Sequence, residues 1–175
     1  MAETLRLEHP IPPLFNENST VLILGSFPSV KSREAMFFYG HPQNRFWRLL
    51  ARLYGEETPV TVEDKKRLIL SHDLALWDTI GACTVTGSSD SSIRDIVPND
   101  LGVILNNSRV SRIFCNGATS HRLYQKYLFP KYGLSAAKLP STSPANAAWT
   151  LEKLAEAWRV ILADDKAPDA PNRER

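Results

Sequence analysis

Residues Val21 to Trp47 read VLILGSFPSVKSREAMFFYGHPQNRFW. The short apolar run Val21–Leu24, closed by Gly25, predicts a buried strand of a parallel sheet. The chain then breaks at Gly25-Ser26-Phe27-Pro28 and crosses a polar, aromatic-rich loop. A helix is predicted from near Asn44, because Phe46, Leu49, Leu50, Leu53 and Tyr54 fall at helical spacing and Gly55 follows as a C-terminal cap. In open α/β sheets, ligands bind outside the carboxyl ends of the strands. A loop bearing Ser26, Ser29, Lys31, Ser32, Phe38, Tyr39, His41 and Asn44 at that place reads as a pocket for a base and a phosphate.

Outward from this stretch, strands and helices alternate. Val62–Ser71 predicts a charged helix, and Leu74–Trp77 a second strand that leaves at Asp78 into the polar segment Thr84–Ser92. Pro98-Asn99-Asp100 is a helix start. Val110–Cys115 predicts the third strand, with Asn116-Gly117 as the turn into a helix through Leu123, Tyr124 and Tyr127. Ala136–Leu139 predicts the fourth, which delivers Pro140–Asn146 at its carboxyl end, and Trp149–Leu162 closes the domain as an amphipathic helix. The expected fold is α/β, a three-layer α/β/α sandwich around a four-stranded parallel sheet. Residues 1–18, with His9-Pro10-Ile11-Pro12-Pro13, are expected to be an irregular arm, 19–163 a single domain, and the charged, proline-bearing 164–175 a disordered tail.

At 175 residues and 43% apolar content, the chain suits one domain with a real core. No apolar run is long enough to span a membrane and Met1–Pro10 lacks a signal-peptide pattern, so a cytoplasmic or nucleoid-associated monomer is expected. Cys83 and Cys115 are isolated among apolar residues and read as buried thiols, too few for a four-cysteine iron–sulfur cluster. His9, His41, His72 and His121 show no metal-ligand spacing, so neither metal nor cofactor is expected. The net charge of +2 permits nucleic-acid binding without arguing for it. Lys31, Arg33, Arg45 and Arg94 fall near the proposed pocket, although an ordinary solvated surface charge is the default reading for each taken singly.

GSFPS at 25–29, followed after a spacer by YGHPQNRFW at 39–47, resembles the hypoxanthine-DNA glycosylase branch of the uracil-DNA glycosylase superfamily. It is also similar to the mismatch-specific uracil-DNA glycosylases, whose first motif reads Gly-Ile-Asn-Pro-Gly. A second block, LPSTSPAN at 139–146, sits where the superfamily keeps its minor-groove loop. The resemblance runs from about Ser19 to Leu162 and joins two motifs in the right order. One position departs from the mismatch-specific pattern: Phe27 stands where those relatives carry a catalytic Asn. The hypoxanthine branch shows the same loss, and the resemblance implies that the Asn of His-Pro-x-Asn, which is Asn44 here, takes the catalytic part.

The resemblance implies a monofunctional hydrolase that cuts the N-glycosidic bond of a deaminated base flipped out of DNA, with hypoxanthine favoured and uracil second. Neither motif supplies a Schiff-base lysine. Asn44 has two roles open to it, helix N-cap and catalytic amide, and the family likeness assigns it to catalysis. Tyr39 aligns with the aromatic that sandwiches the base, whereas Phe38 reads as core. Gly25, Ser26 and Phe27 offer backbone N–H groups to a base carbonyl, and His41 is expected on the base-binding wall, either fixing the loop or taking a chemical part. GSFPS holds no carboxylate to serve as a general base. Ser29, Lys31, Ser32, Ser141, Thr142, Ser143 and Pro144 are expected to touch the DNA backbone. Gly87–Ser92 reads as a solvated loop or a weaker phosphate contact. Two alternatives stand beside this reading: a mismatch-directed uracil-DNA glycosylase, and a non-catalytic Rossmann-like nucleic-acid-binding module.

Overall fold

The computed structural model describes residues 3–87 and 92–163. Four strands form a parallel sheet: β2 (Val21–Gly25), β3 (Leu74–Asp78), β6 (Arg112–Asn116) and β7 (Ala136–Leu139), in the order β3-β2-β6-β7. The sheet is the centre of a three-layer α/β/α fold. Leu22, Ile23 and Leu24 of β2 are completely buried, because a central parallel strand is covered on both faces. The register aligns Gly25 with Asp78, Leu24 with Cys115, and Asn116 with Leu139. All four strands therefore end in one row, and each end residue hands over to a loop on the same edge.

Between the strands lie α1 (Val30–Ala35), α2 (Phe46–Tyr54), α3 (Val62–Ser71) and the short α4 (Gly102–Leu105). After β6 comes α5 (Ala118–Leu123), continued by a π-turn at Tyr124–Leu128 into α6 (Phe129–Tyr132). α7 (Leu151–Trp158) closes the domain and runs on as a 3-10 turn to Leu162. α2 buries Phe46, Trp47, Leu49 and Leu50, and Gly55 ends it at a φ of 66°. A left-handed cap of that kind suits glycine, which has no Cβ to crowd the last carbonyl.

A second sheet departs from expectation. β1 (Thr4–Glu8), β4 (Ile80–Thr86) and β5 (Arg94–Pro98) pair antiparallel in the order β1-β4-β5. The lead-in is thus not an irregular arm: Thr4–Glu8 pairs with the 82–86 stretch, and Ile11 and Leu14 enter the core. Likewise a strand not expected from the sequence, Ile80–Thr86, follows Asp78 and runs into the start of the polar segment Thr84–Ser92. β1 and β5 are short edge strands with mostly exposed residues, so they carry too little alternation to read from sequence. The expected disorder of 164–175 lies outside the described residues, as does most of the Gly87–Ser92 loop. Among the described residues, no helix is long and apolar enough to cross a membrane.

Burial pushes the hydroxyls of Tyr54 and Tyr124 from the ordinary 10.0 up to about 12. Above pH 10 the unfolded chain sheds these protons while the folded chain keeps them, so stability falls as the pH rises toward 12. A denaturant midpoint lower at pH 11 than at pH 9 is the expected result.

Candidate active site

The row of strand ends opens into a cavity of about 220 Å³. Gly25, Ser26, Phe27 and Ser29 line one wall, Tyr39, His41 and Asn44 a second, and Ser141 to Pro144 a third. Segments nearly a hundred residues apart in sequence meet here, and Arg45 holds them together. Its backbone N–H donates to Thr142 O at 3.1 Å. Its guanidinium donates to the carbonyls of Ser143 at 2.9 Å and Asn146 at 3.0 Å, and also to that of Trp149. Arg45 is therefore turned inward as a clamp on the second loop, and it is not free for a phosphate.

Asn44 is tied both to the start of α2 and to the second loop. Its Oδ1 accepts from the Phe46 N–H at 2.9 Å, which caps the start of α2, and from the Thr142 hydroxyl at 2.8 Å. The side chain also lines the cavity. Tyr39 stacks on Phe46, with ring centroids 3.9 Å apart and planes 20° from parallel. Phe46 is wholly buried, so one face of the tyrosine rests on the core while the residue borders the cavity. Its φ of 54° is left-handed. A bulky residue held there costs of order 1–3 kcal/mol and is a mark of functional sites. The buried Tyr39 hydroxyl makes no well-aligned hydrogen bond. Burial raises its pKa above the ordinary 10.0 and the charge of Asp78 adds to the effect, but Asn116 lies close enough to favour its ionised form.

Three contributors were invisible in the motifs. Asp78, at the end of β3, lines the cavity although only 5% exposed. Its Oδ2 lies 2.7 Å from His9 Nε2. His9 reaches it because β1 pairs with β4, and the His9 N–H donates to Gly81 O at 2.8 Å. Its ring sits edge-on to Phe27 and Trp77, at 5.9 and 6.0 Å. Asn116, at the end of β6, also lines the cavity. The absence of a carboxylate from GSFPS thus says nothing about the pocket, since the neighbouring strand supplies one. The rule that ligands sit at strand ends, applied to Asp78 and Asn116 as it was to Gly25, is the signal that finds them.

Several residues expected on the DNA backbone have other occupations. Ser32 is 2% exposed; its Oγ accepts the Gly40 N–H at 2.8 Å and pegs the loop to α1. Thr142 is completely buried and is a link to Asn44 rather than a surface contact. Ser29 caps α1, accepting the Ser32 N–H at 3.1 Å, yet remains exposed at the rim. Lys31 is exposed and lies 3.9 Å from Glu34, outside the cavity wall. Arg33 sits over the Phe27 ring at 5.6 Å, while Arg94 belongs to the second sheet and donates to Thr86 and Ser92. His41 Nδ1 accepts the Gln43 N–H at 3.1 Å within its own loop. Ser141, Ser143 and Pro144 stay half-buried on the third wall. A wider groove of about 620 Å³ adjoins the cavity, shares Ser26, Asn116, Ser141 and Ser143 with it, and adds Lys138 and Thr119.

The sequence profile of the Uracil DNA glycosylase superfamily matches residues 12–162. A hypoxanthine DNA glycosylase of Methanosarcina acetivorans is 32% identical over 157 residues, covering 89% of this chain and 98% of that protein. One from Methanosarcina barkeri is 34% identical over 94 residues, 53% of this chain and 60% of its own length. A solution structure of a candidate uracil DNA glycosylase from Methanosarcina acetivorans superposes with a TM-score of 0.75 at 29% identity, over 91% of this chain and all of that one.

Proposed function

The chain belongs to the uracil DNA glycosylase superfamily, and we propose that its cavity takes a deaminated base, hypoxanthine before uracil, turned out of DNA. It is a DNA glycosylase, a hydrolase of DNA repair. The C1′–N bond breaks with its electron pair leaving on the base, and water adds at C1′ and gives its proton to solvent. The observation that carries the site assignment is the meeting of Tyr39, Asp78 and Asn44 around one cavity at the strand ends. At about 220 Å³ that cavity is smaller than the roughly 300–1,000 Å³ of common small-molecule clefts and suits a single planar ring system.

Each group has a distinct task. Tyr39, backed by Phe46, offers a face for stacking. Asp78, as a carboxylate, only accepts hydrogen bonds. Deamination turns the ring-nitrogen acceptor of adenine or cytosine into the N–H of hypoxanthine or uracil, so a carboxylate admits the lesion and repels its parent. Asn44, with the backbone N–H groups of Ser26 and Phe27, faces the charge that grows on the departing base. We assign the DNA backbone to Ser29, Ser141, Ser143 and Pro144, which line the cavity, and to Lys138 in the adjoining groove. We place the enzyme as a monomer beside DNA in the cytoplasm.

Incubation with duplexes bearing single hypoxanthine, uracil or xanthine lesions, followed by alkaline cleavage, tests this reading. The expected result is an alkali-dependent cut, fastest at hypoxanthine. Excision confined to uracil opposite guanine would replace it with the mismatch-directed enzyme, and no excision at all with a binding module. Tyr39→Ala should slow excision by roughly ten- to a hundredfold through lost stacking. Tyr39→Phe should keep the rate, because it leaves the stacking face and its contact with Phe46 intact. A Tyr39→Phe protein as slow as Tyr39→Ala would give the hydroxyl, not the ring face, the leading part.

A further inference from the structure

Two backbone N–H groups fix the direction of a hydrogen-bond chain that ends at the cavity. A backbone N–H only donates, so the Asn116 atom 3.0 Å from the Thr142 N–H is the amide oxygen. The amide nitrogen of Asn116 therefore faces Thr142 Oγ1, to which it donates at 3.0 Å. The single hydroxyl proton of Thr142 is left to point at Asn44 Oδ1, 2.8 Å away. That end of the chain is fixed independently, because the Phe46 N–H meets the same Asn44 atom at 2.9 Å. Both lone pairs of Asn44 Oδ1 are thus filled from within the protein.

We infer that Thr142, itself oriented by Asn116, is a positioning residue that locks the Asn44 amide so that it presents Nδ2, a donor, to the substrate. The inference rests on the assignment of Asn44 as the catalytic amide and sharpens it. A locked donor serves the leaving base, whose ring nitrogens and carbonyl gain negative charge as the bond breaks. It does not serve the attacking water, which needs an acceptor for its proton. Thr142 is completely buried, so it acts only through Asn44 and not by touching DNA. Without the hydroxyl, one lone pair of Asn44 opens and the amide is free to turn, which forfeits the advantage of a donor fixed before the reaction.

Thr142→Val keeps the side-chain shape and removes the hydroxyl. Single-turnover excision should fall roughly ten- to a hundredfold, the cost of a misplaced catalytic group, while affinity for lesion DNA holds. Thr142→Ser, which restores the hydroxyl, should recover the rate. In an Asn44→Ala background, Thr142→Val should change nothing further, since its target is gone. A wild-type rate from Thr142→Val beside an inactive Asn44→Ala overturns the inference and leaves Asn44 in place. An active Asn44→Ala overturns the underlying reading instead. A loss that persists in the Asn44→Ala background also overturns the inference, because the hydroxyl would then act through the loop. If Thr142→Val does not fold, Asn116→Asp decides. It keeps an oxygen for the Thr142 N–H but faces the hydroxyl with an acceptor, which draws its proton away from Asn44. The same rate loss, vanishing in the Asn44→Ala background, supports the lock, and a wild-type rate or a loss that persists in that background refutes it.

Discussion

Asn44→Ala should still bind hypoxanthine-containing DNA and barely cleave it. Loss of one preorganised donor aimed at developing negative charge costs about 10²–10³ in rate. The lost helix cap should account for about 1 kcal/mol of stability, because the Phe46 N–H loses its acceptor. The same change leaves the Thr142 hydroxyl without its acceptor in a buried site. Single-turnover rates and thermal melts, measured together, separate the two effects. Asn44→Asp sharpens the test, since Asp caps a helix as well as Asn does but lacks the amide donor. It should melt like the wild type and react as slowly as Asn44→Ala. A fast Asn44→Asp enzyme would mean that an oxygen at this position orients the water.

Gly25→Ala should be nearly as damaging, for a purely steric reason. A Cβ built on Gly25 would lie 2.4 Å from Asp78 Oδ1 and 3.2 Å from the Tyr39 hydroxyl. The carboxylate has little freedom to retreat, because Oδ2 is tied to His9 at 2.7 Å and the side chain is almost wholly buried. Either Asp78 leaves the cavity wall or the end of β2 shifts, and both disturb the site. Overpacking of this kind costs about 1–3 kcal/mol of stability, and a displacement near 1 Å costs about a hundredfold in rate. A folded Gly25→Ala protein with wild-type excision would show that Asp78 is not part of the base-binding wall.

β2 and β3 were legible because each is a short, nearly continuous apolar run buried along its whole length and ended by a turn signal. β6 and β7 are less fully buried and were legible from the turn signals after them and the helical periods on either side. α2 was equally plain: its apolar positions repeat at helical spacing and Gly55 ends it. The second sheet was not legible, since β1 and β5 are edge strands whose exposed residues match those of a loop.

The sequence by itself determined the α/β class, the strand that leads into the first loop, and the motif residues Tyr39, His41 and Asn44. These are local properties, carried by hydrophobic period, turn chemistry and a recognisable run of residues. Only the tertiary structure decided how those residues are used. Register placed Asp78 and Asn116 beside Gly25, and β1 brought His9 across to pair with Asp78. Burial turned Ser32 and Thr142 from candidate DNA contacts into internal links, and the Arg45 clamp closed the second loop over the first. Each of these depends on a hydrogen bond or a burial between residues far apart in the chain. No local pattern encodes such a contact, because it exists only once the strand ends are aligned.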